Sequence, residues 1–384
     1  MKLLIYSNFF MPITGGTQTI VLELARGLST RHVTRPDLKP IEVTVVTQTQ
    51  GAWDGDKTAA FRIVRRPTTL ELTRLLWSAD VVHLAGPALL PLLMSLLLRK
   101  PTVIEHHSFS VACPNGQFFY EPATSLCPNY FLQSRYAKCV SCNKVKMSAL
   151  RSVAEVPLTI VRRWLSNRAS GNVMPTAWIS TILALSRSTT IQHGISDTGA
   201  SSGTAAGGTF GFQGRLVTTK GIELLIDAVN KLHEMGISAR LKIIGAGPQL
   251  EDLKDRAARG GAEVSFLGHV EEEKLADALA DVSTIVMPSI AGEVFGLVAL
   301  ENMRRGKLVL VSDLGSLKEV VGNAGLTHKN GDVDDLTRRM KEVLDDPSIA
   351  KSLGPAAQMR AREVFSLDLM VESHLKLYQR VLEK

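Results

Sequence analysis

The sequence predicts an α/β protein built from two parallel-sheet domains, and three observations carry that prediction. The chain has 384 residues, which exceeds one comfortable core and suits two domains of ~150 to 200 residues each. Short apolar runs alternate with amphipathic stretches of helical period. That alternation occurs twice, once on each side of a glycine- and serine-rich stretch at 196–208.

In the first half, strands are expected at 3–6, 43–46, 81–84 and 102–106, with helices at 17–29 and 89–98. In the second half, strands fall at 209–213, 240–244, 264–267 and 285–287, and helices at 221–235, 249–258 and 272–279. A further amphipathic helix closes the chain at 367–382. Strands that are apolar throughout belong to parallel sheets covered on both faces, so each half reads as a Rossmann-like β/α/β domain. Two such domains facing each other would hold a ligand in a cleft between the carboxyl ends of their sheets. The expected boundaries are 1–195 for the N-terminal domain and 209–365 for the C-terminal one, with 196–208 as linker.

Composition narrows the class. Hydrophobic residues at 45% and charged residues at 21% are ordinary for a globular protein. The longest apolar run, 88–98, is shorter than the ~18 to 20 residues of a spanning helix, and the first strand stops at Ser7-Asn8, short of the ~7 to 15 apolar residues of a signal core. A cytoplasmic location is the expectation. The net charge of +7 resides in one segment: Arg135, Lys138, Lys144, Lys146, Arg151, Arg162, Arg163 and Arg168 stand against the single acid Glu155. Apolar residues such as Leu150, Val153, Val161 and Trp164 interleave with them, a mixture that suits either an anionic membrane surface or a solvated basic face. Nucleic acid is not an expected partner, since no binding module is present and aromatics are 5% of the chain.

The residues closest to chemistry lie at 288–306. Glu293 falls in a loop after the 285–287 strand, and Glu301 falls inside a helix whose apolar face carries Leu297, Leu300 and Met303. A helix N-terminus near Gly296 offers unpaired N–H groups to a phosphate, and nearby carboxylates accept hydrogen bonds from hydroxyls. By itself the pair describes a surface helix with two acids. The order Pro288-Ser289, Glu293, Phe295-Gly296-Leu297, Glu301, then 309–313, Gly315 and Glu319-Val320-Val321-Gly322 resembles the signature of the retaining glycosyltransferases of family 4, which have the GT-B fold. The resemblance extends over nearly the whole chain.

That resemblance implies roles residue by residue. Arg215 and Lys220, in Gly214-Arg215 and Lys220-Gly221, would neutralise the donor diphosphate; as an isolated pair they would read as solvated loop cations. Glu301 would hold the ribose, Glu293 the hydroxyls of the transferred sugar, and the backbone of Phe295, Gly296 and Leu297 the phosphate; Glu319 has a weaker claim. The 366–384 helix would cross back to the N-terminal domain. Gly15 and Gly16 open the first helix where the family carries a glycine pair, although such a pair is more often only a turn. The family has a histidine near the donor sugar at the end of the 102–106 strand. Spacing from Pro101 and to Cys113 favours His107, with His106 as the alternative.

No acidic cluster suited to Mg²⁺ is apparent, so no cofactor is expected for catalysis. The four cysteines, Cys113, Cys127, Cys139 and Cys142, all lie in an insert at 108–145 and end in Cys-x-x-Cys. Such crowding suits a structural Zn²⁺, with an iron–sulfur cluster or free thiols as the other readings. The stretch 178–194 looks compressed relative to the family. Together these residues lead to a retaining, metal-independent hexosyltransferase. Its donor would be a nucleoside-diphosphate sugar and its acceptor a glycan or lipid-linked hydroxyl, in glycan, polysaccharide or glycolipid biosynthesis. A sugar-nucleotide epimerase or hydrolase, or a binding protein without turnover, are the competing readings.

Overall fold

The structure is a computed structural model and describes residues 1–34, 40–196 and 208–383. The 197–207 part of the linker lies outside the described residues. The chain divides into two compact units. One comprises Met1–Ala123, Cys127–Ser196 and Phe365–Lys384; the other comprises Thr124–Leu126 and Asp197–Val364.

The first unit begins with β1 (Lys2–Ser7), α1 (Gly16–Thr34), β2 (Glu42–Thr47), β3 (Arg62–Arg65), α2 (Thr69–Ser78), β4 (Val81–Ala85), α3 (Leu89–Leu97) and β5 (Thr102–Glu105). The insert that follows contains the two-residue strands β6 (Phe119–Tyr120) and β7 (Ser125–Leu126), with a 3-10 turn at Glu121–Ala123 between them, before α4 (Tyr136–Asn143). After it come α5 (Ala149–Ser166), β8 (Gly171–Met174), α6 (Ala177–Leu183) and β9 (Ser188–Thr190). Seven parallel strands align in the order β3-β2-β1-β4-β5-β8-β9. The stretch that looked compressed therefore contains a short helix and an edge strand. β4 and β5 are buried along almost their whole length, as strands of a doubly covered sheet must be. Two polar side chains interrupt these apolar runs, His83 in β4 and Glu105 in β5, and both are fully buried.

The second unit runs β10 (Thr209–Gln213), α7 (Ile222–Glu234), β11 (Arg240–Ile244), α8 (Leu250–Gly260), β12 (Glu263–Gly268), α9 (Glu272–Ala278), β13 (Thr284–Met287), α10 (Leu297–Arg304), β14 (Leu308–Ser312), α11 (Gly315–Val321), β15 (Leu326–His328), α12 (Val333–Asp345) and α13 (Ser348–Val364). Its six strands are parallel in the order β12-β11-β10-β13-β14-β15. Phe210, Phe212, Leu225, Val229, Ile243 and Leu310 anchor the core. The last helix, α14 (Leu367–Leu382), belongs to the first unit and packs on α1, where a Cβ at Gly27 would lie 2.5 Å from Val371.

In both sheets the strand order reverses beside the first strand of the unit: between β1 and β4, and between β10 and β13. Loops leaving the carboxyl ends of those strands open a crevice, which is where ligands bind in open α/β sheets. The candidate residues lie in or next to those loops.

Candidate active site

In the second unit, β10 delivers Gly214 and Arg215, and a 3-10 turn at Thr218–Lys220 delivers Lys220. The turn is pinned to the segment after β13: Ile290 N–H donates to the Thr219 carbonyl at 3.0 Å, and a Cβ on Gly221 would lie 2.1 Å from the Pro288 carbonyl oxygen. Gly221 also has a φ of +66°, so only glycine suits that position. This close approach sets Lys220 against Glu293, and the two side chains form an ion pair. Ser289 Oγ donates to the same Glu293 oxygen at 2.7 Å, while the Ser289 carbonyl accepts from Ser312 Oγ (2.8 Å) and Asn330 Nδ2 (2.9 Å). Ser289 was part of the sequence signature without a role, and its role here is to orient the carboxylate.

Burial works against the charge of Glu293. Lys220, Ser289 and the exposed Arg215 outweigh it, and the carboxyl titrates below its ordinary value. α10 then starts at Gly296, whose φ is +97° and where a Cβ would lie 2.5 Å from Leu317. No side chain caps that start, so the N–H groups at Gly296 and Leu297 are directed at whatever binds there. Phe295 beneath them is buried. Glu301, one turn further on, is in the opposite electrostatic state: burial, with Glu272 adding to it and Arg305 opposing it, raises its carboxyl to about 7. Glu319 lies in α11, where its carbonyl accepts from Arg360.

The candidates of the first unit lie on corresponding loops. Gly15 and Gly16 are exposed at the start of α1. His106 and His107 part company at the end of β5. His106 is fully buried, lies 2.9 Å from Asn172 Oδ1 and is lowered to about 4 by burial, the properties of a packed polar contact. His107 instead joins a cluster that the sequence analysis missed. Its Nε2 lies 3.5 Å from Glu105 Oε2, and its ring stacks on His193 at 5.2 Å.

Glu105 is the hub of that cluster. His83 Nε2 lies 3.2 Å from its Oε2; His193 Nδ1 and His374 Nε2 lie 3.3 and 3.9 Å from its Oε1; and the Tyr378 hydroxyl is 2.9 Å from His83 Nδ1. Burial alone would raise the Glu105 carboxyl, but the surrounding imidazoles hold it well below the usual range. The ligand atoms of His83, Glu105 and His374 lie within 4.8 Å of one another, the only such set of His, Cys, Asp and Glu among the described residues. A carboxylate can only accept, so His83 donates through Nε2–H and its Nδ1 takes the Tyr378 proton. Both nitrogens are then engaged, and His83 has no lone pair for a metal. The sequence signal was a polar residue inside each of two apolar strands.

The four cysteines are gathered around one small cavity in the insert, and none is in a disulfide. A concavity of about 460 Å³ lies instead beside α7 and α8, lined by Asp227, Lys231 and Arg256 among others. It contains no candidate residue.

Comparison with known proteins bears on the family and the fold. The family model for glycosyl transferases group 1 matches residues 207–360. A sulfoquinovosyl transferase from Arabidopsis thaliana is 33% identical over 150 residues, covering 38% of this chain and 28% of its own length. A glycogen synthase from Mycobacterium tuberculosis is 32% identical over 44% of this chain and 41% of its own. The chain thus spans less than half the length of those relatives. A 2-deoxystreptamine glucosyltransferase from Streptomyces kanamyceticus is 26% identical over 65% of this chain and 71% of its own. Among solved structures, that of Anabaena Alr3699/HepE in complex with UDP aligns with a TM-score of 0.72 at 17% identity, covering 99% of this chain and 100% of that one. Residues 207–360 thus form a glycosyl transferases group 1 region, in a chain whose fold is that of the GT-B glycosyltransferases.

Proposed function

We propose that the protein transfers a hexose from a nucleoside-diphosphate sugar to an acceptor hydroxyl with retention at the anomeric carbon and without a catalytic metal. The observation that carries this reading is the assembly of Lys220, Ser289 and Glu293 beside Arg215, at the carboxyl ends of β10 and β13 and just before the uncapped start of α10. Two cations and a helix end suit a diphosphate whose charge grows as it leaves. When the diphosphate takes Lys220, the Glu293 carboxylate is released to accept from sugar hydroxyls, with Ser289 still holding its orientation. Glu301 then takes the ribose hydroxyls. On the first unit, His107 is assigned to the donor sugar and Gly15-Gly16 to close backbone approach.

A panel of UDP-, GDP- and ADP-sugars tests the proposal, scored for binding and for acceptor-dependent release of the nucleoside diphosphate. At least one donor should bind and turn over only with an acceptor. Release that needs no acceptor would point to a hydrolase or epimerase, and no affinity for any donor would sink the reading. Turnover without added Mg²⁺ or Mn²⁺, and unchanged on adding either, is expected.

The acceptor side is proposed to meet anionic lipid. No helix of the described residues is long and apolar enough to cross a membrane. α5 instead exposes Leu150, Val153, Val161 and Trp164, together with Arg151, and Arg168 just after it is exposed; α3, which contacts α5, exposes Leu90, Leu93 and Leu97. Arg162 and Arg163 are occupied on backbone carbonyls of Ser110, Leu183 and Ala184 and do not belong to that surface. Vesicles containing phosphatidylglycerol should sediment the protein, and Leu150→Ser with Trp164→Ser should abolish this; equal sedimentation of both forms would refute it.

A further inference from the structure

We propose that Cys113, Cys127, Cys139 and Cys142 bind one structural Zn²⁺ as a tetrathiolate, and that this ion fixes the 108–145 insert that follows His107. The proposal is independent of the transferase reading. It begins from the geometry. Thiols from three separate stretches of chain line a single cavity of about 10 Å³: Cys113 in a tight turn, Cys127 just after β7, and Cys139 with Cys142 one turn apart on α4. A space of that size takes roughly one water or one ion. It is far too small for an iron–sulfur cubane. The thiols are free, so no disulfide has claimed them.

The sulfurs have both donors and acceptors around them: Cys113 Sγ donates to Asn115 Oδ1 at 2.9 Å and Cys142 Sγ to the Phe119 carbonyl at 3.4 Å, the two protons that metal binding would displace. Asn115 Nδ2 and the Glu121 N–H each donate to Cys142 Sγ at 3.4 Å, and backbone groups of Phe118 and Asn115 hydrogen-bond to Cys113. Such N–H···S bonds are the outer contacts that orient metal-bound sulfur. Four thiolates and a dication carry a net charge of −2, and Lys138 lines the same cavity while Lys146 acts on Cys142.

The insert also needs an anchor. Its regular structure amounts to two-residue strands, a 3-10 turn at Glu121–Ala123 and the eight-residue α4; Phe109, Phe118 and Phe119 bury one end of it, whereas the cluster beside the thiols is small, with Phe131, Cys139 and Val156 of α5 as the buried members. Small, loop-rich segments of this kind are commonly stapled by metal, because the site forms only when the segment folds. The thiols ring the cavity more widely than the 4.8 Å spacing found around Glu105. Closure to Zn–S distances of ~2.3 Å asks the four side chains to turn further into the space they already share. In the step, four Cys S–H groups lose their protons to solvent, four S–Zn bonds form, and nothing is oxidised or reduced.

The full chain, purified in reducing buffer without chelator, should contain one zinc per molecule by elemental analysis. Titrating the native thiols with a mercurial should release that zinc in step, read with a chromogenic chelator, and should open the 108–145 segment to limited proteolysis. Cys139→Ser and Cys142→Ser should reduce zinc to background; the mercurial titration keeps the test valid if those variants fail to fold. Metal-free native protein whose four thiols react at once with a disulfide reagent would overturn the proposal. So would stoichiometric iron with a charge-transfer spectrum.

Discussion

Two carboxylates organise this molecule, one fully buried and one partly open to solvent, and they do so by opposite means. Glu293 is held by one strong cation, Lys220, with Arg215 exposed nearby, and its ion pair is partly open to solvent at 24% and 17% side-chain exposure. Glu105 is fully buried and surrounded by imidazoles from His83, His107, His193 and His374, drawn from four separate stretches of the first unit. The first arrangement can exchange partners, because a phosphate can replace a carboxylate on Lys220. The second cannot, because it is almost shut away from solvent; within it His83 hydrogen-bonds Glu105, and the other three imidazoles stand 3.3–3.9 Å from the carboxylate. The difference separates a carboxylate open to exchange from a hub that joins β4 and β5 to α14.

The sharpest way to break that contrast is Glu105→Ala. Deleting the hub should cost about 3–5 kcal/mol of stability, the range for breaking a buried charged contact, read as a lowered urea midpoint. Glu293→Ala should cost less than ~1 kcal/mol, because its partner Lys220 reaches solvent. Similar midpoints for the two variants would abolish the distinction. The order reverses for turnover. Glu293→Gln should lower kcat by about 10²-fold, roughly 2.7 kcal/mol, as loss of a group that acts on the reacting sugar. Ser289→Ala should have a smaller effect in the same direction, since it loosens the carboxylate without removing it.

The same contrast shows what the sequence could reveal. The Glu293 site was legible because its residues are local: Pro288 to Glu301 span one loop and one helix, and Arg215 with Lys220 flank one turn. The strand and helix pattern of both halves was legible for a similar reason, as apolar period is a local property. The Glu105 hub joins His83 to Tyr378 across 295 positions, and no local pattern predicts which buried histidine meets which carboxylate. β3 and β9 were missed because they are short, half-exposed edge strands, and α2, α5, β8, α12 and α13 were not expected either. Glycine pairs and single histidines looked alike in sequence; only the register of β5 separated His106, turned into the core, from His107, turned to Glu105.

Smaller effects sharpen the picture of the donor site. Arg215→Ala should weaken nucleoside diphosphate binding by about tenfold, or ~1.4 kcal/mol, and the loss should shrink with added salt because the side chain is exposed. Calorimetry at two ionic strengths would check it; a loss unaffected by salt would move Arg215 from charge compensation to packing.

The smallest effect concerns protons at Glu301. Its carboxyl is raised from 4.5 to about 7, so near neutrality it is only partly ionised before ligand arrives. Ribose hydroxyls donate to a carboxylate, so binding favours the ionised form and releases a proton. Affinity for the matching nucleoside-diphosphate sugar should therefore rise between about pH 6 and pH 8, by no more than roughly tenfold. The intact sugar donor is the right probe, because its diphosphate has no proton to lose in that window. For stability the sign is opposite. A raised folded-state value adds stability that is complete below 4.5 and is lost as pH rises toward about 7, so Glu301→Gln should flatten both curves together. A variant that flattened the stability curve yet left the binding curve unchanged would show that Glu301 is buried beside the site without touching the ribose.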